Sequence, residues 1–367
     1  MKKKLAIVVP SLRGGGAERV MVNIIRHIDT SKFDIRLILI KKEGPYVQFI
    51  PEHIPVIDLN SNRVRFAIVK LIKELNKYKP DVILSTLGYL NLALISIKPF
   101  LKGGPKIIVR HAISPTKSLE KYSNIKRSIC KKVYRILYNK SDIILAQCEE
   151  MKKDIAEVYQ IDEGKIRYIY NPLDIKKIQS DMQKQNPYNT DKFNLISAGR
   201  FTYQKGFDIL LKAFKIVHKK HPNTHLTILG EGVLKEELII TAQKLGLDKK
   251  VTFAGFQENP YPYYYYSDMF ILSSRYEGFP NTLLEALACK TKVISTQCKN
   301  GPKEIIGCND YGLLAEVENN HSLANSILRY MSMESLTQNR CYSFDIKKII
   351  QEYELLINEQ SNIKGFR

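Results

Sequence analysis

Leu5-Ala6-Ile7-Val8-Val9-Pro10-Ser11-Leu12-Arg13-Gly14-Gly15-Gly16-Ala17-Glu18-Arg19 reads as a buried strand, a glycine turn and the start of a helix. An uninterrupted apolar run suits a strand covered on both faces, and consecutive glycines let the backbone turn tightly. The same pattern restarts at 193–198, where a strand is followed by a glycine turn and a helix over 208–219. Between and beyond these points, short apolar runs alternate with amphipathic stretches, as in a parallel α/β architecture. Strands are predicted at 5–9, 35–40, 82–85, 106–109 and 143–146, then at 193–198, 226–229, 251–254, 269–272 and 292–295. Helices are predicted at 17–28 and 69–77 in the first half. The alternation weakens at Tyr170-Asn171-Pro172-Leu173-Asp174 and dissolves in the polar stretch 179–191, which reads as a linker. The expected organisation is two Rossmann-like domains, 1–178 and 179–345, facing a central cleft. A helix from about 346 to 359, within the segment 346–367, is expected to cross back to the first domain. Ligands of such folds bind at the strand C-termini.

Composition agrees with two ordinary globular domains: 367 residues, 44% hydrophobic and 26% charged. No apolar run reaches the roughly 18 residues of a spanning helix. Lys2, Lys3 and Lys4 before a short apolar run imitate a signal peptide, but Pro10 and the glycine loop follow with no small-residue cleavage site, so a strand is expected. Six scattered cysteines without a CxxC pair read as structural thiols of a reducing compartment, which places the chain in the cytosol. The formal charge of +20 is lopsided. The first 180 residues carry 34 Lys+Arg against 17 Asp+Glu, the remainder 23 against 20. The first half is therefore expected to meet an anionic partner: a membrane surface, a phosphate-bearing acceptor or nucleic acid.

Three segments carry chemistry. Arg275-Tyr276-Glu277-Gly278-Phe279-Pro280-Asn281-Thr282-Leu283-Leu284-Glu285-Ala286 follows a predicted strand and opens a helix near Asn281, where Pro280 is tolerated and Asn281 can cap. Such a loop presents backbone N–H groups and a positive dipole end to an anion. Glu277 precedes the helix and Glu285 lies about a turn inside it. Two such carboxylates could bind separate hydroxyl clusters of one long ligand, or be a solvated loop residue and a helix former. Second, Ser197-Ala198-Gly199-Arg200-Phe201-Thr202-Tyr203-Gln204-Lys205-Gly206 joins a strand to a helix. From it Arg200 and Lys205 can both reach a diphosphate, or be two exposed surface cations. Third, Gly14–Gly16 with Glu18 is either a phosphate-facing loop or simply a tight connection.

These segments, in this order, resemble the retaining glycosyltransferases of family 4, which have a GT-B fold and a Glu, seven residues, Glu motif. The resemblance covers about 5 to 314. It implies that Glu277 contacts the donor sugar, that the backbone of Gly278, Phe279, Pro280, Asn281 and Thr282 holds sugar and phosphate, and that Glu285 binds the ribose. It implies further that Arg200 and Lys205 clamp the diphosphate, that Gly15, Gly16 and Glu18 face donor phosphate and acceptor, and that His111, after the strand 106–109, lies beside the donor sugar. Gly230-Glu231-Gly232 resembles another family turn near the nucleotide, and Gly301-Pro302-Lys303-Glu304-Ile305 echoes a stretch found after the second Glu. One departure is Ala288-Cys289-Lys290-Thr291-Lys292, where the family often has Ala-Cys-Gly-x-Pro; altered loop geometry is expected there.

The sequence contains no Asp-x-Asp, so no cofactor and no metal are expected, with Arg200, Lys205 and helix dipoles neutralising the leaving diphosphate of a UDP- or GDP-sugar. No nucleophilic carboxylate stands out, and the resemblance implies front-face substitution. The segment 117–140 holds eight Lys/Arg and one acidic residue, and Ile125, Ile129, Val133 and Ile136/Leu137 recur at helical spacing. Lys126, Arg127, Lys131 and Lys132 are accordingly expected to meet anionic lipid or the pyrophosphate of a polyprenyl-linked acceptor, unless this is an ordinary surface helix. The expected activity is transfer of a hexose or N-acetylhexosamine to a lipid-linked glycan or lipopolysaccharide at the inner face of the plasma membrane. Rival readings are a nucleotide-sugar hydrolase or epimerase, an inactive sugar-binding relative, and a basic nucleic-acid-binding protein. No nucleic-acid-binding motif supports the last, and no nucleic acid partner is expected.

Overall fold

The computed structural model describes residues 2–120, 122–188, 191–333 and 339–362. Lys121 of the basic segment, Asn189 and Thr190 of the expected linker, and 363–367 of the expected crossing segment lie outside the described residues. The chain forms two compact units, Met1–Pro172 with Ile346–Arg367, and Leu173–Asp345.

The first unit is built on a parallel sheet of β1 (Lys3–Val9), β2 (Phe33–Leu39), β3 (Val56–Asp58), β4 (Val82–Thr86), β5 (Lys106–Arg110), β6 (Ile143–Ala146) and β7 (Ile166–Tyr168). Their spatial order is β3-β2-β1-β4-β5-β6-β7. The second unit has β8 (Phe193–Ala198), β9 (Thr224–Leu229), β10 (Val251–Gly255), β11 (Met269–Leu272), β12 (Lys292–Thr296) and β13 (Leu313–Ala315), ordered β10-β9-β8-β11-β12-β13. Numbered from its own first strand, each sheet runs 3-2-1-4-5-6, and the first adds a seventh strand. The strand order reverses beside β1 and beside β8, so the loops leaving these strands and their neighbours β4 and β11 border the ligand crevice of this topology. Leu5 through Val9 have no exposed surface, which is why β1 reads as a continuous apolar run. The three strands absent from the sequence reading, β3, β7 and β13, are three-residue edge strands. So few residues cannot establish a periodicity.

The boundary differs from the expected 178/179. Helix Ile175–Met182, capped by the Asp174 side chain on Lys177 N at 3.1 Å, buries Ile175, Ile178 and Met182. It packs against the short helix Tyr261–Tyr265 and helix Asn281–Ala288, and so belongs to the second unit. Of the tyrosine run, Tyr261 and Tyr264 are buried in that unit, Tyr264 edge-on to Phe270, while Tyr263, Tyr265 and Tyr266 are half-buried. Helix Ile346–Asn362 sends Ile349, Ile350, Tyr353 and Ile357 into the core formed by β1, β2 and helix Gly16–His27, and Glu354 meets Lys32 at 3.1 Å. Lys290, at the departure from the family pattern, adopts φ 62°. This is the left-handed conformation that a glycine takes freely, and it costs a lysine about 1 kcal/mol.

Candidate active site

In the second unit β8 and β11 run side by side, Met269 level with Leu195 and Phe270 with Ile196, so their outgoing loops meet. Gly206 ends the first loop at φ 62°, and a Cβ on it would lie 2.2 Å from the Ser273 carbonyl of the second. Only glycine allows this approach. Around that contact the Ser273 hydroxyl donates to the Lys205 carbonyl (2.8 Å), Gln204 Nε2 donates to the Tyr276 carbonyl (3.0 Å), and Arg275 N donates to the Gln204 carbonyl (2.8 Å). The loops are thereby stitched so that Lys205 Nζ stands 2.7 Å from Glu277 Oε1. Ser274 Oγ donates to the same oxygen at 2.6 Å, and Thr296 Oγ1 holds the Ser274 carbonyl at 2.5 Å. Glu277 is only 5% exposed. Its Oε2 has no partner among the described residues, so it is the oxygen left for a ligand hydroxyl. Arg200 is exposed and its guanidinium has no partner among the described residues; of the two expected cations, only Lys205 is gathered at Glu277.

Arg275, a residue the sequence reading passed over, braces this arrangement. Its guanidinium makes two bonds to Asp208 (2.9 and 2.8 Å), one to Glu318 (2.9 Å) and one to the Tyr203 carbonyl (2.8 Å), and lies 3.9 Å over the Tyr203 ring. Burial lifts the Asp208 carboxyl, but the Arg275 hydrogen bonds and charge outweigh it and hold Asp208 below its ordinary range. Burial likewise works against the charged guanidinium, and Asp208 and Glu318 more than offset it. The one available signal was the position of Arg275 two residues before Glu277.

Helix Asn281–Ala288 begins as expected after the loop, but the cap is different. Pro280 takes the capping position (φ −75°), no side chain caps the helix, and Asn281 is its first helical residue. Proline fixes the entry angle and supplies no acceptor, so the cap expected from Asn281 is corrected. Gly278, Phe279 and Pro280 are buried and Asn281 and Thr282 half-buried. Thr282 Oγ1 is buried without a hydrogen-bond partner among the described residues. Glu285 is 4% exposed one turn into the helix. Next door, Gly230 adopts φ 131°, and its position beside the Gly199 carbonyl leaves 2.0 Å for any Cβ. The Gly199–Phe201 turn is paired there through Phe201 N and the Glu231 carbonyl at 2.9 Å.

In the first unit Gly15 caps helix Gly16–His27, and Glu18 turns back so that Gly15 N donates to its Oε2 at 2.6 Å. Glu18 is thus a helix-capping residue, and its carboxylate takes up the Gly15 amide that was expected to face phosphate. His111 follows β5 and is buried: Nδ1 lies 2.9 Å from the Tyr138 hydroxyl, and the ring packs edge-on to Tyr134, Tyr138 and Tyr159. Burial is the main influence on its pKa and lowers it to about 4, with Asp154 and the Ile113 carbonyl opposing and Arg110 assisting. The ring is neutral at physiological pH. Asp154, also missed, accepts from Ser114 Oγ (2.9 Å), Thr116 N (3.3 Å) and Thr116 Oγ1, which fixes the loop after His111.

The basic segment forms two helices, Pro115–Glu120 and Asn124–Tyr138. On the second, Ile125 (76% exposed), Ile129 (57%), Val133 (39%) and Ile136 (48%) face outward beside exposed Lys126, Lys131 and Lys132. Arg127 is half-buried, its guanidinium on the Leu119, Glu120 and Tyr122 carbonyls at 3.3 to 3.4 Å, so it closes the preceding turn. Among the described residues no helix is long and apolar enough to cross a membrane, and no group of three His, Cys, Asp or Glu is arranged to hold a metal ion.

Residues 14–177 match the family described as Glycosyltransferase Family 4, and 178–344 match Glycosyl transferases group 1. An uncharacterized glycosyltransferase of Methanocaldococcus jannaschii is 31% identical over 78% of this chain and 82% of its own length. A Campylobacter jejuni protein named N-acetylgalactosamine-N,N'-diacetylbacillosaminyl-diphospho-undecaprenol 4-alpha-N-acetylgalactosaminyltransferase is 29% identical over 95% of this chain and 98% of its own. Among solved structures, Anabaena HepE in complex with UDP-glucose aligns with a TM-score of 0.81 at 18% identity, covering 97% of this chain and 99% of that one. Two parallel Rossmann-like sheets of this order give the chain the GT-B fold. The chain belongs to glycosyltransferase family 4.

Proposed function

We propose that this chain transfers a hexose or N-acetylhexosamine from a UDP- or GDP-sugar, with retention of configuration, to a lipid-linked glycan such as a polyprenyl-pyrophosphate oligosaccharide or lipopolysaccharide. The observation that carries the reading is the buried Glu277, paired with Lys205 and Ser274 and keeping Oε2 for a ligand, where β8 and β11 end. Glu277 binds a donor hydroxyl, Glu285 the ribose, and the Gly278–Thr282 backbone the phosphates. Lys205 and Arg200 neutralise the diphosphate as the C1–O bond to it breaks, with no metal required. The acceptor oxygen bonds to C1 on the same face, and its proton passes to the departing phosphate. The names of the Campylobacter relative and of the UDP-glucose complex support this acceptor and donor class. A panel of UDP- and GDP-sugars, read by thermal shift and then turnover, is expected to yield a stabilising donor that is consumed when lipid-linked acceptor is added. No stabilisation by any nucleotide sugar, together with tight binding of duplex DNA at physiological salt, would overturn the reading.

The outward face of helix Asn124–Tyr138 supports peripheral attachment to the anionic inner leaflet of the plasma membrane from the cytoplasm. Apolar residues enter the interface while the flanking cations meet headgroups. Each surface cation contributes about 1 kcal/mol, and three of the four are fully outward. Replacing Lys126, Arg127, Lys131 and Lys132 with Ser should therefore weaken partitioning onto phosphatidylserine vesicles by about a hundredfold. Unchanged partitioning in a sedimentation assay counts against attachment by this face.

A further inference from the structure

Strand order and the sense of each connection decide which helices share a face of the first sheet. The connections β3–β4, β4–β5 and β5–β6 all step in one direction across it, whereas β1–β2 steps the other way. Parallel crossovers are right-handed, so helices Val64–Tyr78, Gly88–Ile97 and Asn124–Tyr138 cover one face. Helix Gly16–His27 covers the other, packed with Ile346–Asn362. The three pack in chain order, the middle one against both neighbours. Helices laid side by side on a sheet turn their outer stripes the same way.

On Val64–Tyr78, residues Ala67, Leu71, Leu75 and Tyr78 are buried, and Phe66 (64% exposed), Val69 (79%) and exposed Lys73 lie on the opposite side. From Arg63 to Lys79 there are six Lys/Arg and a single acidic residue, Glu74. The Arg65 guanidinium lies 4.7 Å over the Phe66 ring, so a cation is already seated at the apolar stripe. The middle helix contains no charged residue, and Tyr89, Leu92, Ala93 and Ser96 form its outer stripe. Asn76 fastens the turn after it: Nδ2 donates to the Phe100 carbonyl at 3.0 Å, and Oδ1 accepts from Lys102 N at 2.7 Å. Exposed Phe100 and Lys102 are thereby held beside the first helix. An uncharged middle flanked by two basic amphipathic helices complements an anionic bilayer, which takes apolar residues into its interface and cations at its headgroups.

We propose that this whole three-helix face is the membrane-docking surface, with Phe66 and Val69 forming a second insertion point two helix spacings, about 20 Å, from Ile129. The choice of partner rests on the attachment reading above; the second insertion point and the orientation go beyond it. One inserted helix leaves the protein free to roll about that helix. Two insertion points hold the first sheet parallel to the bilayer. The C-terminal ends of β1, β4 and β5, with the Gly15 turn and His111, then open along the membrane surface. They stand one helix layer, about 10 Å, above the headgroups, within reach of a lipid-borne phosphate that stays in the bilayer.

The chain contains no tryptophan, so a single introduced one reports alone. Phe66→Trp, Ile129→Trp and Leu355→Trp in the full chain are compared on phosphatidylserine vesicles with and without brominated acyl chains. Leu355 is exposed on helix Ile346–Asn362, across the sheet, and serves as the control. Blue-shifted emission and bromine quenching are expected at 66 and 129 and not at 355. Quenching at 129 alone would overturn the proposal and leave attachment by the Asn124–Tyr138 helix standing. Quenching at neither position would overturn it as well, and failure to sediment with the vesicles would take the attachment reading with it. Quenching at 355 as strong as at 66 would overturn the orientation. Phe66→Ser/Val69→Ser changes exposed positions only and should weaken partitioning about tenfold with unfolding unaltered; unchanged partitioning would count against the second insertion point.

Discussion

Lys205→Ala is expected to lower kcat/KM for sugar transfer by 10² to 10³-fold, on the order observed when one group facing transition-state charge is removed. In the resting protein its ammonium is 2.7 Å from Glu277, and both sit among buried backbone. Truncation therefore does two things. It deletes the cation proposed to neutralise the departing diphosphate, and it strands a buried carboxylate that keeps the Ser274 hydroxyl as donor. The second effect should cost about 3 kcal/mol of stability, since breaking such a pair leaves an uncompensated charge. A double variant separates them. In Lys205→Ala/Glu277→Gln the stranded charge is gone, so most of the lost stability should return while activity stays low. Thermal unfolding and steady-state kinetics on the two single variants and the double complete the cycle. Activity of Lys205→Ala within threefold of wild type would remove Lys205 from the donor site.

Arg275→Met is expected to destabilise the protein by about 2 kcal/mol and to slow turnover by tenfold to a hundredfold. The Arg275 side chain is 11% exposed, and Asp208 and Glu318 are half-exposed, which puts the stability loss below the 3 to 5 kcal/mol of a fully buried pair. In a unit of this size that corresponds to a fall in Tm of about 4 to 8 °C. The rate loss has a separate origin: without the bonds to the Tyr203 carbonyl and Asp208, the turn carrying Lys205 loosens relative to Glu277, and a misplacement of about 1 Å costs on the order of 10²-fold. The stability deficit should be flat from pH 5 to 8. Asp208 is held below its ordinary value of 3.8, so its contribution is complete above that value and is lost only as pH falls further. Arg275→Lys keeps the charge but not the fork, and should recover stability better than rate. A normal rate in Arg275→Met at a temperature where it is folded would show that the brace does not position the site.

Much of this was readable from one-dimensional pattern. Strands buried on both faces, such as Leu5 to Val9 and Met269 to Leu272, announce themselves as apolar runs, and the glycine turns after β1 and β8 mark strand-to-helix connections. Glu277, Lys205 and His111 stood out as candidates through their residue type, their order and the family resemblance. The three-residue edge strands were not readable, because they carry no period and are paired on one side only. Nor was the membership of helix Ile175–Met182, whose polar neighbours resemble a linker until its buried face is matched to the helices it covers. Glu18 shows the limit from the other side: its motif is plain in the sequence, yet local geometry turns its carboxylate onto Gly15.

The sequence by itself determined the α/β class, the two-unit organisation and which carboxylates and cations are candidates for the site, because hydrophobic period, glycine turns and residue chemistry are local properties. Only the tertiary structure decided which of those groups meet. Lys205 and Glu277 are 72 positions apart, and Arg275 reaches Asp208 across 67. Directional bonds between residues distant in sequence form only when the sheet brings loop ends together, and no spacing along the chain encodes them.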